Sequence, residues 1–110
     1  MKAFEQIDIH KAKDLMDSSD VTVVDIRDAE SYRGAHISDA ISVDDETIAA
    51  FLKIADKKKP LICYCYHGIS SQSAAQYFQQ QGFEAVFSIA GGFEAWRVNY
   101  PIQEDRPASS

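Results

Sequence analysis

The chain has 110 residues, of which 45% are hydrophobic, so it can bury one core and is too short for two ordinary domains. Its formal net charge is −6 and its longest basic run is Lys57-Lys58-Lys59, which argues against nucleic acid as a partner. No apolar run approaches the roughly 20 residues that cross a bilayer, and the first residues lack the basic and apolar parts of a signal peptide. We therefore expect one cytoplasmic domain over residues 1–110, with no membrane partner.

Strand-like and helix-like segments alternate along the chain. The first half predicts a weak strand at 4–7, a helix at 10–16, a β-branched strand at 21–26, a short helix at 28–33 capped by Asp28, and a strand at 40–43. The second half predicts a helix at 45–55, a strand at 61–65, a helix at 71–81, a strand at 85–88 and a helix at 92–100. The folded core is expected over about 4–101, and residues 102–110 form a polar, frayed tail.

This alternation predicts an α/β domain with a five-stranded, mostly parallel sheet and helices on both faces. In such sheets the ligand site lies beyond the carboxyl ends of the strands. Cys65 is predicted at one of these ends, where the strand 61–65 gives way to a helix.

The segment that follows this strand reads Cys65-Tyr66-His67-Gly68-Ile69-Ser70-Ser71. Glycine in the middle permits a backbone conformation that turns several N–H groups towards one point, and the next helix directs its positive end to the same place. Such a loop stabilises an anion, and the thiolate of Cys65 is the first anion available.

The two cysteines have different expected roles. Cys63 and Cys65 are too close in an extended strand for an unstrained disulfide, so we expect free thiols in a reducing compartment. Cys63 lies inside the strand and is interpreted as inert packing, whereas Cys65 faces the loop.

Three separated segments follow one another in an order that is typical of one known family. They are Val24-Asp25-Ile26-Arg27 with 30–32 and 34–37, the Cys65 loop, and Gly91-Gly92-Phe93-Glu94-Ala95-Trp96. Together they resemble the rhodanese (sulfurtransferase) superfamily over about residues 4–101. Two departures affect the turn near His36, because Ala35 separates it from Gly34 and Asp39 stands where the family usually has glycine.

The resemblance implies a thiosulfate sulfurtransferase that needs no metal or organic cofactor. Cys65 takes a sulfur atom from thiosulfate as a persulfide and passes it to cyanide, or to a thiol acceptor such as thioredoxin. The implied substrate-binding residues are those that follow Cys65 in the loop, namely Tyr66, His67, Gly68, Ile69, Ser70 and Ser71. Many family members carry Arg and Lys where this chain has Tyr66 and His67, so a protonated His67 is the expected local attraction for a dianion.

The family resemblance also suggests that Asp25 and Arg27 form a structural ion pair, with direct contact to the sulfur donor as the second reading. Arg27 or Arg97 is a further candidate for attracting the donor locally.

Four other functions compete for the same residues. A phosphatase or arsenate reductase is disfavoured, because a phosphatase needs Cys-x5-Arg and that position holds Ser71. A metal site on Cys63, Cys65 and His67 lacks a fourth ligand. A thioredoxin-like site needs Cys-x-x-Cys, whereas the spacing here is Cys-x-Cys. The fourth alternative is a non-catalytic rhodanese-like sulfur carrier or protein-binding module, although such modules usually lose the cysteine that this chain retains.

Overall fold

The structure, a computed structural model, describes residues 4–104. Strands and helices alternate as predicted. In chain order they are β1 (Glu5–Ile7), α1 (Ile9–Ser18), β2 (Thr22–Asp25), α2 (Ala29–Gly34), β3 (Ile41–Ser42), α3 (Ile48–Ile54), β4 (Leu61–Tyr64), α4 (Ser70–Gln80), β5 (Val86–Ile89) and α5 (Gly92–Arg97).

The five strands form one sheet in the order β1-β5-β4-β2-β3, and every pairing between them is parallel. The predicted α/β sheet is therefore confirmed, and it is parallel throughout rather than mostly parallel. Strand β4 lies in the middle, with Tyr64 opposite Asp25 of β2 and Cys63 opposite Ser88 of β5. Because parallel strands end at the same edge, the residues that follow β2, β4 and β5 meet there.

Helices cover both faces of the sheet. Along β4 the side chains of Ile62 and Tyr64 pack on the face covered by α1 and α5, while those of Leu61 and Cys63 pack on the face covered by α3 and α4. All four side chains are fully buried, as expected for a central parallel strand with both faces covered. None of the helices within 4–104 is long and apolar enough to span a bilayer.

Two helices are shorter than predicted. Helix α3 begins at Ile48 rather than at residue 45, because the carboxylate of Asp44 accepts the N–H groups of Glu46 and Thr47 and holds a turn there. Helix α5 ends at Arg97 rather than at residue 100, and the next residues form a turn in which Tyr100 N–H donates to the carbonyl oxygen of Trp96.

The segments around the predicted turn and tail also differ from expectation. Gln103 is not frayed, since its backbone N–H and carbonyl both bond His36, each at 2.8 Å. The rest of the predicted tail, residues 105–110, lies outside the described residues. Asp39 adopts a left-handed conformation with φ of +67°, which explains why glycine suits that position. The predicted cap is confirmed, because the Asp28 carboxylate accepts the N–H of Ser31 at 3.0 Å.

Candidate active site

Cys65 is the first residue after β4, so the central strand presents its thiol at the carboxyl edge of the sheet. The strand ends at Tyr64, one residue earlier than predicted. The residue is 6% exposed, which leaves the sulfur close to the surface but largely removed from water.

Two backbone N–H groups point at this sulfur. Those of Gly68 and Ser71 both lie 3.2 Å from Cys65 Sγ. Ser71 belongs to the first turn of α4, so the helix contributes one of its unpaired N–H groups to the thiol. The loop and the helix start therefore stabilise negative charge on the sulfur, as the sequence predicts.

The conformation of Gly68 is fixed by its surroundings. Its φ is +88°, and a Cβ atom there would lie 2.8 Å from Gly91 N and from the carbonyl oxygen of Ile89. Its carbonyl oxygen accepts the side-chain amides of Gln72 at 2.8 Å and Gln6 at 3.3 Å. These bonds hold the peptide between Gly68 and Ile69, which lies along the chain between the two N–H donors to the thiol.

The two thiols differ sharply in acidity. Burial acts to raise the pKa of Cys65, but the hydroxyl and N–H of Ser71, followed by the N–H groups of Gly68 and His67, lower it below the ordinary value. Burial, with a smaller repulsion from Cys65, raises the pKa of Cys63 to about 12. Cys63 is fully buried and donates its S–H to the carbonyl oxygens of Ser71 and Phe87. The expected packing position of Cys63 is thus confirmed.

The start of α5 packs directly on the loop. The N–H groups of Phe93 and Glu94 donate to the carbonyl oxygens of Cys65 and Tyr66 at 2.8 and 3.0 Å. A Cβ atom at Gly92 would lie 2.6 Å from both of these oxygens, and its φ is +57°. The helix can approach the loop this closely because glycine occupies the position.

Asp25 and Arg27 form the predicted structural ion pair. Arg27 Nη2 lies 2.7 Å from Asp25 Oδ2, and the phenol of Tyr64 donates to the same oxygen at 2.7 Å. The guanidinium carbon of Arg27 lies 4.1 Å from the ring centroid of Phe93. Since both charged side chains are buried and engaged with one another, they link β2, β4 and α5 beneath the loop.

Comparison with known proteins places this geometry in a family. The rhodanese-like domain model matches residues 8–99. The chain belongs to the rhodanese-like domain family. Two curated relatives are named thiosulfate sulfurtransferase GlpE. The protein of Pseudomonas savastanoi pv. phaseolicola is 46% identical over 101 residues, covering 92% of this chain and 94% of the relative. That of Vibrio cholerae is 44% identical over 104 residues, covering 94% and 98%.

A solved structure from Rhodopseudomonas palustris, RPA3614, shares the fold with a TM-score of 0.77 and 31% identity, over 91% of this chain and 85% of that one. That protein is described as of unknown function, a possible tyrosine phosphatase. The comparisons confirm the predicted rhodanese-like family, and the curated relatives confirm the predicted enzyme type, a sulfurtransferase.

The remaining loop residues of this rhodanese-like domain lie at the surface. His67, Ile69 and Ser70 are exposed, and Ile69 is 75% exposed. Tyr66 is 40% exposed, but its hydroxyl donates to Asp28 at 2.8 Å and also bonds Ser31. These bonds from Tyr66 and Ser31 lower the pKa of Asp28 to about 2. Tyr66 therefore joins the loop to the start of α2.

The two arginines considered for attracting the donor are both paired with carboxylates. Arg27 is bound to Asp25, and Arg97 Nε lies 3.0 Å from Glu94 on the surface. Within 4–104, no three His, Cys, Asp or Glu side chains are grouped to hold a metal ion.

Sequence reasoning missed three residues that support the loop, Gln6, Gln72 and Ser88. Gln72 follows Gly68 by four residues at the start of a helix, so its bond to that carbonyl was detectable from spacing. Gln6 lies in β1, 62 positions away from Gly68, and only the sheet order brings them together.

Proposed function

We propose that the chain is a thiosulfate sulfurtransferase in which Cys65 carries the transferred sulfur. The observation that supports this most is the pair of N–H groups, from Gly68 and Ser71, at 3.2 Å from the Cys65 sulfur. A thiolate is the nucleophile in sulfur transfer, and these donors favour the thiolate over the thiol.

The reaction has two displacement steps at sulfur. The Cys65 thiolate attacks the outer sulfur of thiosulfate, a new S–S bond forms, and the old S–S bond breaks with its electron pair leaving on sulfite. Cys65 is then a persulfide anion. An acceptor nucleophile attacks the outer sulfur of this persulfide and the Cys65 thiolate is released. Charge and atoms balance without a metal or an organic cofactor.

The loop residues have distinct proposed roles in binding the substrate. The N–H groups of Gly68 and Ser71, with that of His67, stabilise the anion that moves through the site. The side chains of His67, Ile69 and Ser70 are exposed on the loop, and His67 when protonated attracts the thiosulfate dianion. Tyr66 contributes by fixing the loop to Asp28.

Two acceptors are proposed for the second step. Cyanide is the acceptor in the assay, where it yields thiocyanate. A thiol such as that of reduced thioredoxin is the proposed acceptor in the cell, and a reducing cytoplasm is where both free cysteines would persist.

The test is turnover of thiosulfate and cyanide by matched serine variants. C65S is expected to abolish thiocyanate formation, because it removes the nucleophile. C63S is expected to retain most of it, because Cys63 is a buried packing residue. A folded C63S variant as inactive as C65S would contradict the assignment of one nucleophile. A wild-type protein without turnover would favour the non-catalytic carrier or binding module.

Phosphoryl transfer fits the loop less well. A phosphatase of this loop type holds the phosphoryl oxygens with an arginine, and Ser71 occupies that position here. We expect no Cys65-dependent hydrolysis of an aryl phosphate, and rapid phosphate release would overturn the sulfur-transfer proposal.

A further inference from the structure

Two buried hydroxyl groups lie together beneath the loop. The Oγ atoms of Ser71 and Ser88 are 2.7 Å apart, and both residues are fully buried. Ser88 lies in β5, opposite Cys63 of β4, on the sheet face that α4 covers. Burying a hydroxyl without a partner is unfavourable, so each of these two groups depends on the other for a hydrogen bond.

Ser71 is held on three sides. Its N–H donates to Cys65 Sγ at 3.2 Å, its carbonyl oxygen accepts the Cys63 S–H at 3.4 Å, and its hydroxyl bonds Ser88. Two of these contacts are made with residues of strands β4 and β5, and the third is made with the reactive sulfur. Ser71 thus connects the interior of the sheet to the thiol.

We propose that Ser88 is a positioning residue for the Cys65 thiolate, acting through the Ser71 hydroxyl. A thiolate has no proton and can only accept hydrogen bonds. The donor that Ser71 places at the sulfur is its backbone N–H, at 3.2 Å, and the Ser88 hydroxyl, 2.7 Å from the Ser71 hydroxyl, fixes where Ser71 lies.

The bond between the two hydroxyl groups anchors the start of α4 to β5, so the Ser71 N–H is held towards the sulfur. The pKa of Cys65 is lowered, and Ser71 contributes to this through both its hydroxyl and its N–H, which is consistent with this arrangement. Removing the Ser88 hydroxyl leaves the Ser71 hydroxyl without its partner on β5, so the Ser71 N–H is held less firmly, whereas the N–H of Gly68 is unaffected.

The inference rests on the proposed function in one respect, because it takes Cys65 as the reacting thiol. Its test does not require the protein to turn over thiosulfate. The pH dependence of iodoacetamide alkylation at Cys65 is measured by peptide mass spectrometry in the wild type, S88A, S71A and the S71A/S88A double variant. S88T keeps the hydroxyl and serves as the conservative control. Thermal unfolding of each variant establishes that it is folded at the temperature of the titration.

We expect S88A to raise the midpoint of the Cys65 profile by about half a unit, because one hydrogen bond to a charged group is weakened rather than lost. S71A should raise it by at least as much, because it removes the hydroxyl that Ser88 binds. The double variant should match S71A, because Ser88 acts only through Ser71. S88T should restore the wild-type midpoint. If S88A does not fold, S88C supplies a weaker donor of similar size and should shift the midpoint in the same direction by less.

Several results would overturn the proposal. One is an S88A alkylation profile that coincides with the wild-type profile in a folded protein. Another is a midpoint of the S71A/S88A double variant that lies above that of S71A by as much as the midpoint of S88A lies above the wild type. A midpoint for S88T as high as that for S88A would show that volume, not the hydroxyl, matters. Because thiosulfate turnover is measured separately, failure of the proposed function is distinguishable from failure of the Ser88 role.

Discussion

The backbone N–H of Phe93 donates to the carbonyl oxygen of Cys65 at 2.8 Å. The helix α5 therefore holds the peptide of the candidate nucleophile. This contact turns the Cys65 carbonyl towards α5, while the N–H groups of the loop face the sulfur. The glycine pair before Phe93 is thus part of the support for the site, although it carries no reactive group.

Substituting Gly92 by alanine should damage the site through this contact. Its Cβ would lie 2.6 Å from the carbonyl oxygens of Cys65 and Tyr66, and the residue has a positive φ. We expect a loss of about 2 kcal/mol or more in the free energy of unfolding and at least a tenfold loss of sulfur transfer.

Gly82 provides the matched control for this substitution. Its φ is +103°, but a Cβ there would meet only the Lys57 side chain, at 3.5 Å. G82A should therefore lower stability by about 1–2 kcal/mol and leave activity of the folded protein near that of the wild type. Equal activity losses in the two folded variants would contradict the support role of α5.

Cys65 should react with iodoacetamide far faster than Cys63 near neutral pH. Its pKa lies below the ordinary value, whereas that of Cys63 is raised to about 12. Since a lowered pKa favours the charged form, the Cys65 rate should reach its plateau at a lower pH than a free thiol, which titrates near about 8.5. Site-resolved mass spectrometry measures both rates, and a Cys65 midpoint at or above that of a free thiol would show that the loop does not stabilise the thiolate.

Removing the Tyr66 hydroxyl should release the Asp28 carboxylate. The bond from Tyr66 is the largest cause of the low pKa of Asp28, about 2, and bonds from Ser31 add to it. Y66F should raise this pKa towards the ordinary range near about 3.9, so the carboxyl takes up its proton at a higher pH as the solution is acidified.

The titration is followed by NMR of the Asp28 carboxyl. Y77F is the control, because Tyr77 is as exposed as Tyr66, at 40%, and lies on α4. If the pKa of Asp28 stays near its original value in Y66F, the bonds from Ser31 and the backbone are enough to keep that pKa low without Tyr66.

Asp39 is the one non-glycine residue at positive φ among residues 4–104. Glycine adopts this conformation without a steric cost. D39G is therefore expected to raise the free energy of unfolding by up to about 1 kcal/mol. Chemical denaturation measures the change, with D39A as a control that should not stabilise. A D39G protein less stable than the wild type would show that the aspartate side chain favours the turn.

The sequence predicts the sheet and the loop because their signals are local. Apolar strands alternate with amphipathic helices, and the residues from Cys65 to Ser71 sit between a strand and a helix. The supporting contacts are not local. The bond between Gln6 and Gly68 and the bond between Ser71 and Ser88 join residues on different elements, and they exist only once the strand order is set. Helix α3 starts later than predicted for a local reason. The turn held by the Asp44 carboxylate keeps residues 45–47 out of the helix, and helical periodicity does not reveal that turn.

The central claim is that Cys65 accepts a sulfur atom from thiosulfate. Intact mass spectrometry of the wild-type protein after incubation with thiosulfate measures this most directly, and peptide mapping locates the added mass. We expect a gain of one sulfur atom at Cys65, lost on adding cyanide and missing in C65S. An unchanged mass under conditions in which the protein is folded, or a sulfur atom located at Cys63, would contradict the claim.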